Sequence, residues 1–394
     1  MIGFELSEEQ QQLQETARRF AEKEIKPIAA EVDSIADPTQ SYPKDVIRKG
    51  FELGFHSMLV PEKYGGMGGS PLDYSIVLEE LAVGDIGMAN AFHATMSLTE
   101  MITKNGTEEQ CERWLRPLCE DTTGSYLIGF GATEPSGGTE IFCPLPDPKM
   151  GTQTTARKHG SHYIINGRKS YTSNASVSSL YGVLARTDTE RPNAESCSVF
   201  FFPSDTPGFS VGRIEDKMGH RASVNGELIF EDMKLPAENM LGQEGAGFDA
   251  IRRVYDTNGV GTGSMAVGVA RAAYEMALDY AKERQVWGQS LTNYQAIGNL
   301  LVDMRADLEM ARLLVRRVAW QATNVSSEGQ IPPNMAKAYP AEMARRVTIN
   351  AVQVLGGAGY MKDYPAEKYV RDAMVLPIIS GGNEALKYFM SQTL

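Results

Sequence analysis

The chain has 394 residues, of which 42% are hydrophobic and 22% charged, and its net charge is −12. That length exceeds what one hydrophobic core spans, so two or three domains are expected. An acidic surface with both signs interspersed argues against a nucleic-acid binder, and no run of about eighteen apolar residues offers a membrane span.

The four cysteines, Cys111, Cys119, Cys143 and Cys197, lack CxxC spacing, which predicts free thiols in a reducing compartment. Five scattered histidines form no HExxH or paired-ligand pattern, so no metal site is expected. The opening MIGFELSEEQQQLQE is polar and acidic, unlike a signal or transit peptide, and a cytoplasmic protein is expected.

Residues 1–128 read as an N-terminal helical domain. Ser7, with Gln10 three residues on, is a capping-box start, and Leu13, Ala17, Phe20 and Ala21 repeat at helical spacing. Tyr42-Pro43 opens a second helix that runs to Gly54. Pro61–Ser70 is a glycine-rich turn without the spacing of a nucleotide-phosphate loop. Helices near 71–84, 88–104 and 107–120 complete the layer.

From 129 to 245 the pattern changes to a β domain, a barrel or sandwich. Short runs rich in Tyr, Ile, Val and Phe occur at 162–165, 180–184, 198–202 and 227–230, and Asn166-Gly167 and Asn225-Gly226 read as hairpin turns. From 246 to 394 the helical period returns. Val269, Ala272, Ala273, Met276 and Ala277 stripe one long helix; Leu300, Leu301, Met304, Leu308, Ala311, Leu314, Val315 and Val318 stripe the next. This predicts a C-terminal four-helix bundle. The order α, β, α without βαβ alternation argues against a Rossmann domain and a nicotinamide dehydrogenase.

Near the C-terminus an apolar helix stops at Gly356-Gly357. A charged segment then runs to Met374, and Gly381-Gly382 opens a last helix from Asn383 to Thr393. Glycines there let backbone N–H groups approach a bound group closely.

The order of these pieces closely resembles the acyl-CoA dehydrogenase family of FAD-dependent flavoproteins, and the resemblance covers essentially the whole chain. Phe130-Gly-Ala-Thr-Glu-Pro-Ser-Gly-Gly-Thr-Glu140 is similar to the family's T-E-P-x-x-G-S-D turn. This implies that Phe130, Ala132 and Thr133 lie at the flavin pyrimidine edge, with Thr139 in the usual serine's place. Gly167-Arg-Lys-Ser-Tyr-Thr-Ser-Asn174 is similar to G-x-K-x-[WY]-I-T-N. The resemblance implies that Tyr171 covers a flavin face and that the Ser173 hydroxyl bonds flavin N5, where a dipole stabilises developing charge. Glu283-Arg-Gln-Val-Trp-Gly288 is similar to E-R-x-x-F-G. It implies that Arg284 contacts the diphosphate, and Trp287 the flavin, of a neighbouring subunit, a site completed by Gln353, Gly356, Gly357 and Gly382. An arginine fork suits paired diphosphate oxygens.

The same resemblance implies an acyl-CoA substrate, an electron-transfer flavoprotein as acceptor, and a homotetramer. The expected reaction is α,β-dehydrogenation of an acyl thioester, on an unusual or cyclic acyl group if the base has moved. Two departures stand out. The stretch 141–150 is longer than in the family's common form and is stiffened by three prolines. The base is also missing. The common branch has a glutamate nine residues after the arginine of Arg-Asp, where this chain has Ser380, with Gly381 next. A second branch has a Glu-Arg pair where this chain has Asn258-Gly259.

A general base contributes roughly 10²–10⁴ in rate, about 3–5 kcal/mol of barrier. Relocation therefore points to Asp85, His93 or Glu100 on the helix lining the acyl pocket in relatives, with Asp256 a fourth candidate. Alternatives are a non-dehydrogenating flavoenzyme, by desulfinase-like elimination or flavin monooxygenation, and a non-catalytic acyl-CoA-binding flavoprotein. Met88, where relatives that hold a second acid group keep an arginine, disfavours dicarboxylyl and sulfinyl substrates.

Overall fold

A computed structural model of the protein describes residues 5–138, 147–326 and 330–392, apart from the side chains at 255 and 256. Thr139, most of the proline-rich stretch and the Asp256 side chain therefore lie outside the described residues. The N-terminal layer comprises α1 (Glu8–Phe20), α2 (Ala29–Ser34), α3 (Lys44–Glu52), α4 (Pro71–Gly84), α5 (Ile86–Asn105) and α6 (Glu108–Glu120). Its helix starts are written in side chains. Ser7 and Gln10 cap α1 reciprocally, as predicted, and Ser70–Asp73 and Thr107–Gln110 do the same for α4 and α6.

The middle layer is an eight-stranded sheet. In chain order it holds β1 (Leu127–Gly131), β2 (Thr155–His159), β3 (His162–Ser173), β4 (Ser178–Arg186), the short α7 (Asn193–Ser196), β5 (Cys197–Pro203), β6 (Phe209–Ile214), β7 (Asn225–Pro236) and β8 (Met240–Leu241). The spatial order is β6-β7-β3-β2-β4-β5-β8, and β1 lies parallel to β4. The two expected Asn-Gly hairpin turns are not turns. Asn166-Gly167 sits inside β3 at a register shift, where the Asn166 amide pairs with Asp232 at 3.0 Å and accepts the Asp232 N–H at 2.8 Å. Asn225-Gly226 opens β7. Each strand is consequently longer than its apolar run.

The C-terminal layer is helical: α8 (Gly247–Glu283), a hairpin of β9 (Gln285–Val286) and β10 (Gln289–Ser290), α9 (Gln295–Asn324), α10 (Met335–Leu355), α11 (Gly357–Tyr360), α12 (Ala366–Ala373) and α13 (Asn383–Ser391). The helical core is continuous from α1 through α10, so N- and C-terminal helices share one apolar interior. Buried charge seals their junction. Arg271 of α8 reaches Glu79 at 2.8 Å and also pairs with Glu80, while Arg18 of α1 meets Glu80 at 3.2 Å and Arg312 of α9 meets Glu79 at 3.0 Å. Burial pushes the Glu80 carboxyl up, but the Arg271 and Arg18 guanidiniums outweigh it and hold it below the ordinary value.

A second buried charge joins all three layers. Lys368 of α12 donates to Asp85, the N-cap of α5, at 2.6 Å and to Asp372 at 2.7 Å. Asp372 in turn accepts the backbone N–H of His220, in the loop before β7, at 2.7 Å. Burial would lower the Lys368 ammonium, but the carboxylates of Asp372 and Asp85 hold it well above its ordinary value. Replacing Lys368 by methionine leaves two buried carboxylates without their cation. The expected cost is about 3–5 kcal/mol in the urea-unfolding free energy; a change under about 1 kcal/mol would contradict this role.

Three histidines are buried neutral. Burial pulls His56 and His93 down to about 4 and His220 to about 3. Their folded values lie below the unfolded value near 6.5, so the unfolded chain binds protons first as pH falls. Stability is thus full above pH 6.5 and declines towards pH 4, by about 2 kcal/mol per histidine between pH 6.5 and 5. Urea midpoints at pH 7 and pH 5 measure this; equal midpoints would refute it.

Candidate active site

α5 is the helix against which the site is assembled. Its N-cap Asp85 accepts the Met88 N–H at 2.9 Å, and Thr95 accepts the Ile128 N–H of β1 at 3.2 Å. The Asn174 amide, just past β3, donates to Ala91 O at 3.0 Å, and Asn90 of α5 donates to Ser223 at 3.0 Å. The ends of β1 and β3 and the loop before β7 are thereby fixed to one helix.

The turn after β1 is held by a buried ion pair. Lys169 of β3, fully buried, meets Glu134 at 2.8 Å and also donates to Ala132 O at 3.1 Å. Glu134 accepts the Gln153 and Thr154 N–H groups at 2.6 and 2.8 Å. Burial pushes the Glu134 carboxyl up, yet the Lys169 charge and these donors hold it below the ordinary range. Ser170 N–H donates to Thr133 O at 2.8 Å, so Ala132 and Thr133 are strapped to the strand that carries Tyr171 and Ser173. A Cβ on Gly131 would meet the Lys169 stem at 2.7 Å, and one on Gly138 would meet Thr133 at 2.9 Å. These glycines allow the close fold of the turn. The Phe130 ring packs towards Phe201 instead, 6.4 Å between centroids, which leaves only its backbone for the cleft.

At the end of β3, Tyr171 is 64% exposed and holds φ 58°, a left-handed conformation that is costly for an aromatic residue. Ser173 Oγ accepts from the Asn225 amide at 3.2 Å, and the same amide donates to Tyr171 O at 2.9 Å. Because the Ser173 oxygen accepts from Asn225, its own proton is available to a third group. Asn225 Oδ1 in turn accepts from Lys217 Nζ at 2.6 Å, and that ammonium also donates to His220 O at 2.8 Å and to Ser223 O. Burial pulls the Lys217 ammonium down to about 7. An exposed, strained aromatic ring beside a positioned hydroxyl donor, with peptide groups strapped opposite, fits the edge and face of a flavin ring.

The remaining cofactor candidates lie elsewhere. Arg284 follows α8, Trp287 is 93% exposed at the tip of the β9–β10 hairpin, and Gln353, Gly356 and Gly357 are exposed at the end of α10. Among the described residues no carboxylate pairs with Arg284, and nothing stands within 4 Å of a Cβ at Gly356 or Gly357. Gly382, φ 63°, precedes α13. The structure does not bring these residues to the Thr133–Ser173 cluster through any described contact within one chain.

The relocated-base candidates separate by environment. Asp85 is committed to capping α5 and to Lys368, which corrects its sequence reading as a base. Glu100 pairs with Lys104 at 2.7 Å and accepts from Thr257 at 2.9 Å. His93, one helical face with Glu100, is buried among hydroxyls. Its Nδ1 meets the Tyr74 hydroxyl, and its Nε2 meets Thr262 Oγ1 at 3.4 Å. Thr262 Oγ1 meets Ser380 Oγ at 3.0 Å. Ser380 is half-buried, with φ 52°, in the loop between α12 and α13.

Sequence reasoning missed Tyr74, Thr262, Lys217, Asn225 and Lys368. A signal did exist for Thr262: it lies among Gly259, Gly261 and Gly263 inside α8. Helix-interior glycines each cost roughly 1 kcal/mol and so mark close approach. A Cβ at Gly261 would strike both the Tyr74 hydroxyl and His93 Nδ1.

Comparison with known proteins places this geometry. The family descriptions "Acyl-CoA dehydrogenase, N-terminal domain", "middle domain" and "C-terminal domain" match residues 7–122, 129–233 and 245–394. A short-chain specific acyl-CoA dehydrogenase of Clostridium acetobutylicum is 36% identical over 392 residues, 99% of each chain. The butyryl-CoA dehydrogenase structure from Megasphaera elsdenii superposes with a TM-score of 0.90 at 36% identity, covering 100% of this chain and 99% of that one. A chain from the structural work on the electron transferring flavoprotein of Acidaminococcus fermentans gives 0.91 at 37%, covering 100% and 99%. With an N-terminal helical layer, a central sheet and a C-terminal helical layer, the chain belongs to the acyl-CoA dehydrogenase family, whose members are FAD-dependent oxidoreductases.

Proposed function

We propose that this protein dehydrogenates a short acyl thioester between its α- and β-carbons. Bound FAD would supply the hydride acceptor. The observation that carries the reading is the Ser173 hydroxyl, whose oxygen accepts from Asn225 at 3.2 Å, which leaves its proton to be donated. Ala132 and Thr133 would bind the pyrimidine edge, and Tyr171 would cover one face. The tight latch of Glu134 on Lys169 pre-sets these positions, so little reorganisation accompanies binding.

Arg284, Trp287, Gln353, Gly356, Gly357 and Gly382 would serve the cofactor of a neighbouring subunit, in a homotetramer. Their exposure in one chain supports this, because an exposed tryptophan beside an unpaired arginine leaves apolar area and charge for a partner to cover. The names of the relatives above favour dehydrogenation over elimination or oxygenation, and the likeness to a chain studied with an electron transferring flavoprotein supports such a protein as acceptor. Cys111, Cys119 and Cys197 are free thiols, which supports a reducing, cytoplasmic setting. No helix among the described residues is long and apolar enough to cross a membrane.

Anaerobic addition of butyryl-CoA to the yellow holoprotein should bleach its flavin absorbance. A protein that is colourless and does not take up FAD, or whose flavin stays oxidised with every short acyl-CoA offered, would refute the assignment. Replacing Arg284 by alanine should weaken FAD retention at least about tenfold by removing charge-assisted hydrogen bonds worth about 1.5–3 kcal/mol. Unchanged retention in the assembled oligomer would remove Arg284 from the site.

A further inference from the structure

Four polar groups from four separate segments form one hydrogen-bonded line through the helical interior: Tyr74 of α4, His93 of α5, Thr262 of α8 and Ser380 of the α12–α13 loop. Tyr74 and Thr262 are fully buried and His93 nearly so. Burying such groups costs free energy that an apolar set would not incur. The absence of a side chain at Gly261 makes room for the Tyr74–His93 contact, since a Cβ there would collide with both. Thr262 is the next residue along α8, so the same turn of helix makes room for the pair and supplies the link to Ser380.

We propose that this line is the proton path that replaces the missing glutamate, with Ser380 Oγ at the acyl α-carbon and His93 as the terminal proton acceptor. The proposal rests on the dehydrogenase reading above. The α C–H bond breaks and its proton passes to Ser380 Oγ. The Ser380 proton moves to Thr262 Oγ1, and the Thr262 proton moves to His93 Nε2. The electron pair left on the α-carbon would form the new double bond, with bound FAD supplying the acceptor for the β-hydride. His93 ends as an imidazolium whose Nδ1–H faces the Tyr74 oxygen. Two protein hydroxyls therefore carry a proton without net change, and one ring nitrogen gains it.

The environment suits the acceptor. Burial keeps the imidazole unprotonated, with its value down at about 4, close to that of an ordinary glutamate carboxylate. Asp85 and Glu100 are each held by a lysine, at 2.6 and 2.7 Å. His93 is the candidate with a hydrogen-bonded connection to the glutamate position itself.

The test separates proton removal from hydride transfer. Acetyl-CoA has α-hydrogens and no β-carbon, so the FAD-loaded protein in D₂O can exchange its methyl protons without redox turnover, read by proton NMR. The wild type should exchange them. His93→Gln and Thr262→Val should each slow exchange at least about 10²-fold, with flavin absorbance and unfolding midpoint unchanged from the wild type. Adding Ser380→Glu to His93→Gln should restore exchange, because a carboxylate then stands at the end of the path.

Wild-type exchange rates in His93→Gln or Thr262→Val would overturn the proposal. So would a wild type whose flavin is bleached by butyryl-CoA but which exchanges no acetyl-CoA protons. Absence of bleaching with exchange intact and lost in both variants would instead uphold the path and refute the dehydrogenase reading.

Discussion

The Lys368 ammonium, buried between Asp85 and Asp372, is the contact on which the site geometry depends. Asp85 starts the helix that carries His93, and Asp372 holds the loop that leads through Lys217 and Asn225 to Ser173. One cation thus sets the position of the hydroxyl assigned to the flavin relative to the histidine assigned to the proton. A buried charge of this kind adds little net stability over apolar packing, but removing one partner is severe. Its consequence here is geometric: α12, the start of α5 and the loop before β7 are tied to one buried cation.

Around that lock the protein uses polar groups sparingly and completely. Lys169 fixes the turn after β1 through Ala132 O and Glu134 Oε1, and Lys217 fixes the loop before β7 through three acceptors. Both ammonium groups are spent on backbone and side-chain oxygens close to the cleft. This pre-organisation lets an exposed ring at Tyr171 stay in an unfavourable backbone conformation without collapsing onto the sheet. The helical layers contribute a continuous apolar core crossed by a few paired polar groups, among them the Tyr74–His93–Thr262–Ser380 line.

Much of this was legible before any coordinates. Capping boxes and 3.6-residue stripes announced α1, α8 and α9, because those signals are local. The residues proposed for the flavin, Thr133, Tyr171 and Ser173, could be singled out because they sit in short, ordered motifs. The Asn-Gly pairs misled because a two-residue turn signal is indistinguishable from a strand bulge until the partner strand is known; Asp232, 66 positions away, decides it for Asn166. The proton path was invisible for the same reason at longer range. His93 and Thr262 are 169 positions apart, and Thr262 and Ser380 are 118 apart. Composition and periodicity carry no record of such pairs, and only the glycines of α8 hinted that something approaches closely there. Asp85 could be read as a base because the lysine that pairs with it lies 283 positions on.

On the proposed path, the glutamate absent from both usual positions is replaced by His93, Thr262 and Ser380 on the family's scaffold. The most direct measurement is a structure of the FAD-loaded protein with a bound, unreactive acyl-CoA analogue. The account predicts Ser380 Oγ within hydrogen-bond reach of the acyl α-carbon, backed by Thr262 and His93, with Ser173 facing the flavin from the opposite side of the cleft. A carboxylate of the protein nearest the α-carbon, or an acyl chain lying away from Ser380, would contradict it.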